Sequence, residues 1–298
     1  MKTKFKSAIR AACYAFGGAV CAGVGLLMAS SVQAQNLFVS EFHYGTITEI
    51  TPGGVQGTFA SGLDGPVGLA FNSVGDLFEA DETSRNIYEF TPGGVQSTFA
   101  SGLDDPAALA FNSAGDLFES DFYSGNIYEF TPGGAKSIFA SGLDGPVGLA
   151  FNSAGDLFVA NFPGGTIDEF TPGGVESTFA SGLSGPHGLA FNSAGDLFDA
   201  DLGSDNIYEF TPGGVQSTFA SGLDGPEFLS FNSAGDLFES DLYSGNIYEF
   251  TPGGSKSIFA SGLNDPLGLA FQPVPEPSTL GLLAFGLFGI TLLRRHQR

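Results

Sequence analysis

Between residues 36 and 271 the apolar positions come in runs of four to six, bounded by glycine, proline, asparagine and aspartate. Runs of this length and spacing predict strands rather than helices. One unit holds four of them: strand A at Gly68–Phe71, strand B at Leu77–Ala80, strand C at Asn86–Phe90 and strand D at Gln96–Ala100. The polar turn Asn72–Asp76 joins A to B. Pro92-Gly93 between C and D suits a type II turn, proline pre-setting φ and glycine accepting φ > 0. Phe59, Phe71, Phe78 and Phe90 recur in nearly every unit, and apolar residues occupy both faces of the strands. Side chains alternate faces along a strand, so the pattern calls for sheets buried on both sides.

The unit repeats at a step of forty residues without an insertion. Phe71-Asn72-Ser73 returns at 111, 151, 191 and 231, and Thr51-Pro52-Gly53-Gly54 at 91, 131, 171, 211 and 251. Four short strands per forty residues is the pattern of a β-propeller blade. Strand B occurs six times, first at Leu37–Ser40, and strand A six times, last at Leu267–Phe271. The first unit lacks its A strand, and the last has nothing else. The expected fold is all-β: a six-bladed β-propeller over 35–272, closed by the C-terminal A strand completing the N-terminal blade. Closure of this kind removes the open edge between first and last blades.

The recurrent Gly-Pro-x-Gly-Leu-Ala-Phe, followed by Asp-Leu-Phe-x-Ala-Asp and Asn-Ile-Tyr-Glu-Phe, resembles NHL-type repeats. The resemblance covers the whole repeat domain and implies architecture rather than activity, since propellers of this type include scaffolds, receptors and enzymes.

The two ends read as addresses. A basic start (Lys2 to Arg10), an apolar stretch from Ala11 to Met28 and Val32-Gln33-Ala34 form a signal peptide over 1–34, cut by signal peptidase after Ala34. An uncleaved anchor is the rival reading, because the apolar stretch is long. At the other end, Val274-Pro275-Glu276-Pro277-Ser278 precedes the apolar run Thr279–Leu293 and a basic close beginning at Arg294 and Arg295. This order over 273–298 resembles the PEP-CTERM sorting signal of Gram-negative bacteria. It implies an exosortase as processing partner, with delivery to the cell surface or an extracellular matrix. The apolar run falls slightly short of the ~20 residues that span a bilayer comfortably. Its arginines are expected to stay on the cytoplasmic side. The chain thus meets the membrane through its terminal segments before processing.

Charge narrows the partners. The net charge of the 298 residues is −22, and every acidic residue except Glu276 lies within 36–272, where Arg85, Lys136 and Lys256 are the only Lys or Arg. Such a domain repels nucleic acid and anionic lipid, whose phosphates require Lys and Arg. Both cysteines, Cys13 and Cys21, fall in the N-terminal segment, so the mature domain needs no disulfide and tolerates an oxidising compartment.

A site should appear where the repeats differ. Differences concentrate at the start of strand A (Val67, Ala107, Val147, His187, Glu227, Leu267) and in the B–C loop. The B–C loops carry Phe42, Tyr44, Phe122, Tyr123, Phe162 and Tyr243, which suit stacking against a glycan, peptide or surface-protein ligand. In an up-and-down blade the D–A and B–C connections share one rim, so these positions predict a variable binding face opposite a uniform one. Strand B ends in Glu41, Asp81, Asp121, Asn161, Asp201 and Asp241, and two residues earlier stand Val39, Glu79, Glu119, Val159, Asp199 and Glu239. The strand-end residues have two readings: oxygen ligands for Ca²⁺ or another divalent cation, or caps for loop amides. The Glu79-type acids stand where an apolar residue would face a neighbouring blade, and need donors, a cation or a raised pKa.

His187 and Glu227 open strand A in consecutive units, as do metal ligands of gluconolactonase-like (SMP-30) propellers, which this chain resembles distantly. Longer motifs that would fix individual correspondences are missing, and no catalytic residue is assigned. Two functions follow as expectations: a non-catalytic binding or structural module of the envelope or matrix, and, alternatively, a divalent-metal lactonase or hydrolase using His187, Glu227, Asn161, Asp201 or Asp241.

Overall fold

The computed structural model describes residues 35–274; the expectations for 1–34 and for Pro275, Glu276, Pro277, Arg294 and Arg295 lie outside the described residues. The described chain forms 24 strands in six four-stranded antiparallel sheets. Blade 2 is typical: Pro66–Phe71, Leu77–Asp81, Asn86–Phe90 and Gln96–Ser101, paired in that order. Blades 3 to 6 follow at forty-residue steps. Blade 1 is composite, with the C-terminal strand Pro266–Phe271 pairing Leu37–Glu41 as the inner strand. This is the closure that the repeat count predicts.

Three strands run further than the apolar pattern suggests. Strand A begins at Pro66, strand B ends at Asp81 and strand D ends at Ser101. Proline is tolerated at the first residue of a strand, and Pro66 stands opposite Asp81. A register shift between Pro66 and Leu69 follows at once. Glycine here lets inner strands approach: a Cβ on Gly68 would lie 2.3 Å from the Ala107 carbonyl oxygen of the next blade.

Phenylalanine seals each seam. Phe78 of strand B meets Phe99 of its own blade at 5.0 Å between ring centroids and Phe111 of the next blade at 5.1 Å, both edge-to-face. Edge-to-face pairs add about 0.5–1.5 kcal/mol beyond area burial. The closing seam repeats this geometry, with Phe238–Phe259 and Phe238–Phe271 both at 4.9 Å.

Candidate functional site

The D–A and B–C loops share one face and are laced together by main-chain hydrogen bonds. Glu82 N donates to Gly65 O (2.9 Å), Thr83 N to Asp64 O (3.1 Å) and Leu63 N to Gly45 O (3.1 Å). The strand-end carboxylates fix the same loops. Asp81 accepts from Asp64 N through Oδ2 (2.8 Å) and from Ser84 N through Oδ1 (2.9 Å). Asp121 does so with Asp104 N and Ser124 N, Asp201 with Ser184 N and Ser204 N, and Asp241 with Asp224 N and Ser244 N. Each carboxylate therefore joins a D–A loop to a B–C loop within its own blade. Among the described residues no three His, Cys, Asp or Glu side chains converge so as to hold a metal ion.

Blades 1 and 4 differ, and they stand opposite each other in the ring. Where strand B carries a buried acid, its cross-strand partner is tyrosine: Glu79–Tyr88, Glu119–Tyr128, Asp199–Tyr208 and Glu239–Tyr248. Where it carries valine, the partner is a small polar residue, in Val39–Thr48 and Val159–Asp168. That residue reaches the strand end instead: Thr48 Oγ1 donates to Glu41 Oε1 (2.5 Å), and Asn161 Nδ2 to Asp168 Oδ2 (2.7 Å). Val39, Glu79 and Glu119 thus match Val159, Asp199 and Glu239, a three-blade period superposed on the one-blade repeat.

The four acids beside tyrosine are fully buried. Both carboxyl oxygens of Glu79, Glu119 and Glu239, and Oδ2 of Asp199, have no hydrogen-bond partner. Burial pushes all four pKa values well up, and the neighbouring strand-end aspartate adds to the rise. Burial therefore favours the neutral acid over the carboxylate at all four positions.

His187 and Glu227 come together, as their places in consecutive repeats suggest. His187 Nδ1 lies 3.0 Å from Glu227 Oε2, with only 14% and 6% of the side chains exposed. The contact is close but poorly aligned for a hydrogen bond, since Nδ1 has no partner within hydrogen-bond angles. Burial opposes the charged imidazole, but Glu227 outweighs it and raises the pKa of His187. The imidazole packs edge-on to Phe162 (5.9 Å) and Phe228 (5.4 Å). Gly148 makes room, because a Cβ there would strike the His187 carbonyl oxygen.

Phe228 was not singled out by the sequence reading. Its equivalents in other blades are Gly68, Ala108, Gly148, Gly188 and Gly268. Its ring packs against the core between blades 6 and 1 and also against the core between blades 3 and 4, so it crosses the axis of the disc. A second contact also escaped that reading. Asp105, at φ 82° in the D–A loop, meets Glu82 of the preceding blade. Burial and then Glu82 push the Asp105 carboxyl up to about 7.

The predicted aromatic contacts divide. Tyr44, Tyr123 and Tyr243 are 65%, 71% and 69% exposed. Phe42, Phe122 and Phe162 instead are half-buried and lie over Gly65, Gly145 and Gly185 of the next blade's D–A loop. On the opposite face, two grooves of about 480 Å³ lie between blades 5 and 6 and between blades 2 and 3. Phe198, Phe219 and Phe231 line the first, and Phe78, Phe99 and Phe111 the second.

The described residues form a six-bladed β-propeller. Residues 273–296 match the PEP-CTERM protein-sorting motif, which marks the chain for export and the cell envelope. Comparison with curated protein sequences finds no relative. Among solved structures, a chain of the nidogen/laminin complex superimposes with a TM-score of 0.74 at 18% identity, over 81% of this chain and 99% of that one. Virginiamycin B lyase from Staphylococcus aureus gives 0.64 at 15% identity, over 82% and 92%. A protein described as a gluconolactonase gives 0.60 at 17% identity, over 66% and 78%. At these identities the likeness shows the fold alone.

Proposed function

We propose that the protein is a non-catalytic binding or structural module of the cell surface or extracellular matrix, delivered through signal peptidase and an exosortase. The observation that carries this reading is the use of the strand-end carboxylates. Asp81, Asp121, Asp201 and Asp241 each spend both oxygens on loop amides. A divalent cation would have to compete with those amides for the remaining lone pairs. Phe228 also fills the axis, where a substrate would approach a central metal. The rigid loops instead present Tyr44, Tyr123 and Tyr243 to solvent, where a glycan, peptide or surface protein can stack on them. Truncating Tyr123 and Tyr243 to alanine should weaken retention on cells or matrix while leaving the melting temperature unchanged. Unchanged retention counts against these contacts.

The alternative, a divalent-metal lactonase or hydrolase, is favoured by one observation: the buried His187–Glu227 pair flanked by Phe162 and Phe228. Ca²⁺ or another divalent cation would bind there through Glu227, with Asn161 Oδ1 as a further buried oxygen lacking a partner. Metal-dependent lactone turnover abolished by Glu227→Gln supports this reading, and no turnover across a broad lactone and ester panel removes it.

A further inference from the structure

We propose that the disc is tethered through its uniform face, so that the variable face points away from the bilayer for as long as the sorting tail is in the membrane. The inference rests on the tail entering the membrane, as its apolar run and terminal arginines suggest. The orientation itself comes from where the domain releases its chain.

In five blades a turn equivalent to Asn72–Asp76 joins strands A and B on the uniform face. In blade 1 no such turn exists, and the two chain ends take its place. Phe271 stands opposite Leu37 at that end of the blade. Gln272 N donates to Asn36 O (3.0 Å), and Gln35 Nε2 donates to Gln272 O (2.9 Å). Gln35 Oε1 in turn accepts from Ser233 N, in the A–B turn of blade 6 (2.9 Å). Both ends are thus pinned to the uniform face, at the two innermost strands and not at the rim.

Chain length then decides which way the disc faces. Seven residues lie between Phe271 and Thr279, where the apolar run begins; the eight steps of chain between them span at most about 28 Å. Turning the variable face to the bilayer would take the tether outward across a blade, roughly 15 Å, and then down its edge, roughly 20 Å. The path exceeds the reach, whereas the opposite orientation requires no detour.

Charge keeps the tethered face from adsorbing. Its turns hold Asp76, Asp116, Asp156, Asp196 and Asp236, and Glu89 and Glu249 lie close to Asp76 and Asp236. Anionic lipid repels such a surface. The tether therefore holds the face near the bilayer without docking it.

Single cysteines test the orientation in the full chain, with Cys13 and Cys21 replaced by serine. Ser113→Cys lies in the A–B turn of blade 3 and Ser124→Cys in its B–C loop, and both positions are exposed. Each variant carries a fluorophore and is reconstituted into phosphatidylcholine vesicles containing headgroup nitroxide lipids. The expected result is quenching several-fold stronger at 113 than at 124, with the difference lost when residues 35–272 alone are mixed with the same vesicles. Equal quenching, or stronger quenching at 124, overturns the orientation. Flotation of the same samples is the separate check on the tail: a full chain that fails to float with vesicles overturns the anchoring on which the inference rests.

Discussion

His187 Nδ1 and Glu227 Oε2 meet at 3.0 Å across the seam between blades 5 and 6, each brought there by the first residues of an inner strand. Removing one partner of a buried pair leaves the other uncompensated, at a cost of about 3–5 kcal/mol, less when the survivor can shed its charge. Imidazole can do so, and Glu227→Gln should destabilise the domain by about 1–3 kcal/mol near pH 6. The raised pKa of His187 sets the pH window. Stabilisation by the pair is fully present below the unfolded histidine pKa of about 6.5 and is lost as pH rises through the folded value. Urea unfolding of wild type and variant at pH 6 and pH 9 should show the difference shrinking at the higher pH.

Glu79, Glu119, Asp199 and Glu239 predict the opposite of ordinary acid denaturation. Their folded pKa values are raised by burial and then by the adjacent aspartate. Ionisation of these groups costs no stability below the unfolded carboxyl pKa of about 4, and stability falls as pH rises from there towards the folded value. Thermal melts should show the domain more stable near pH 5 than at pH 8. Glu79→Gln and Glu239→Gln should flatten that slope and raise the melting temperature at pH 8 while leaving it nearly unchanged at pH 4.

Phe228→Ala should open the axis. Truncating a well-packed phenylalanine costs about 3–5 kcal/mol, and the half-buried setting of Phe228 places it near the lower end. Urea unfolding measures the loss. Phe228→Gly, which restores the glycine found at Gly68, Gly148, Gly188 and Gly268, should cost slightly more through chain entropy.

The ring was legible because spacing alone fixes it: equal repeats, a missing first A strand and a surplus last one. Strand ends were less so, since Pro66 and Asp81 resemble turn residues yet pair within the sheet. Their conformation is set by the neighbouring strand rather than by their own preference. His187 and Glu227 could be placed together because they hold the same repeat position in adjacent units. Phe228 was passed over as one phenylalanine among 31, although it stands where every other repeat has glycine or alanine. The Glu82–Asp105 contact needs the knowledge that a B–C loop leans over the next blade's D–A loop, which no repeat pattern encodes. The amide contacts of Asp81 depend on where both its carboxyl oxygens point, and a strand-end aspartate looks the same in sequence whether or not it caps a loop.

Calorimetric titration of Ca²⁺ into residues 35–272, with melting curves recorded alongside, tests the central claim most directly. If the strand-end carboxylates serve as loop clamps in a binding module, the titration shows no saturable heat and the melting temperature stays within about 1 °C, because an ion that does not bind the native state cannot stabilise it. Saturable uptake of one or two ions with a raised melting temperature, lost in Asp201→Asn or Glu227→Gln, would contradict it and place a metal centre at the mouth of the propeller.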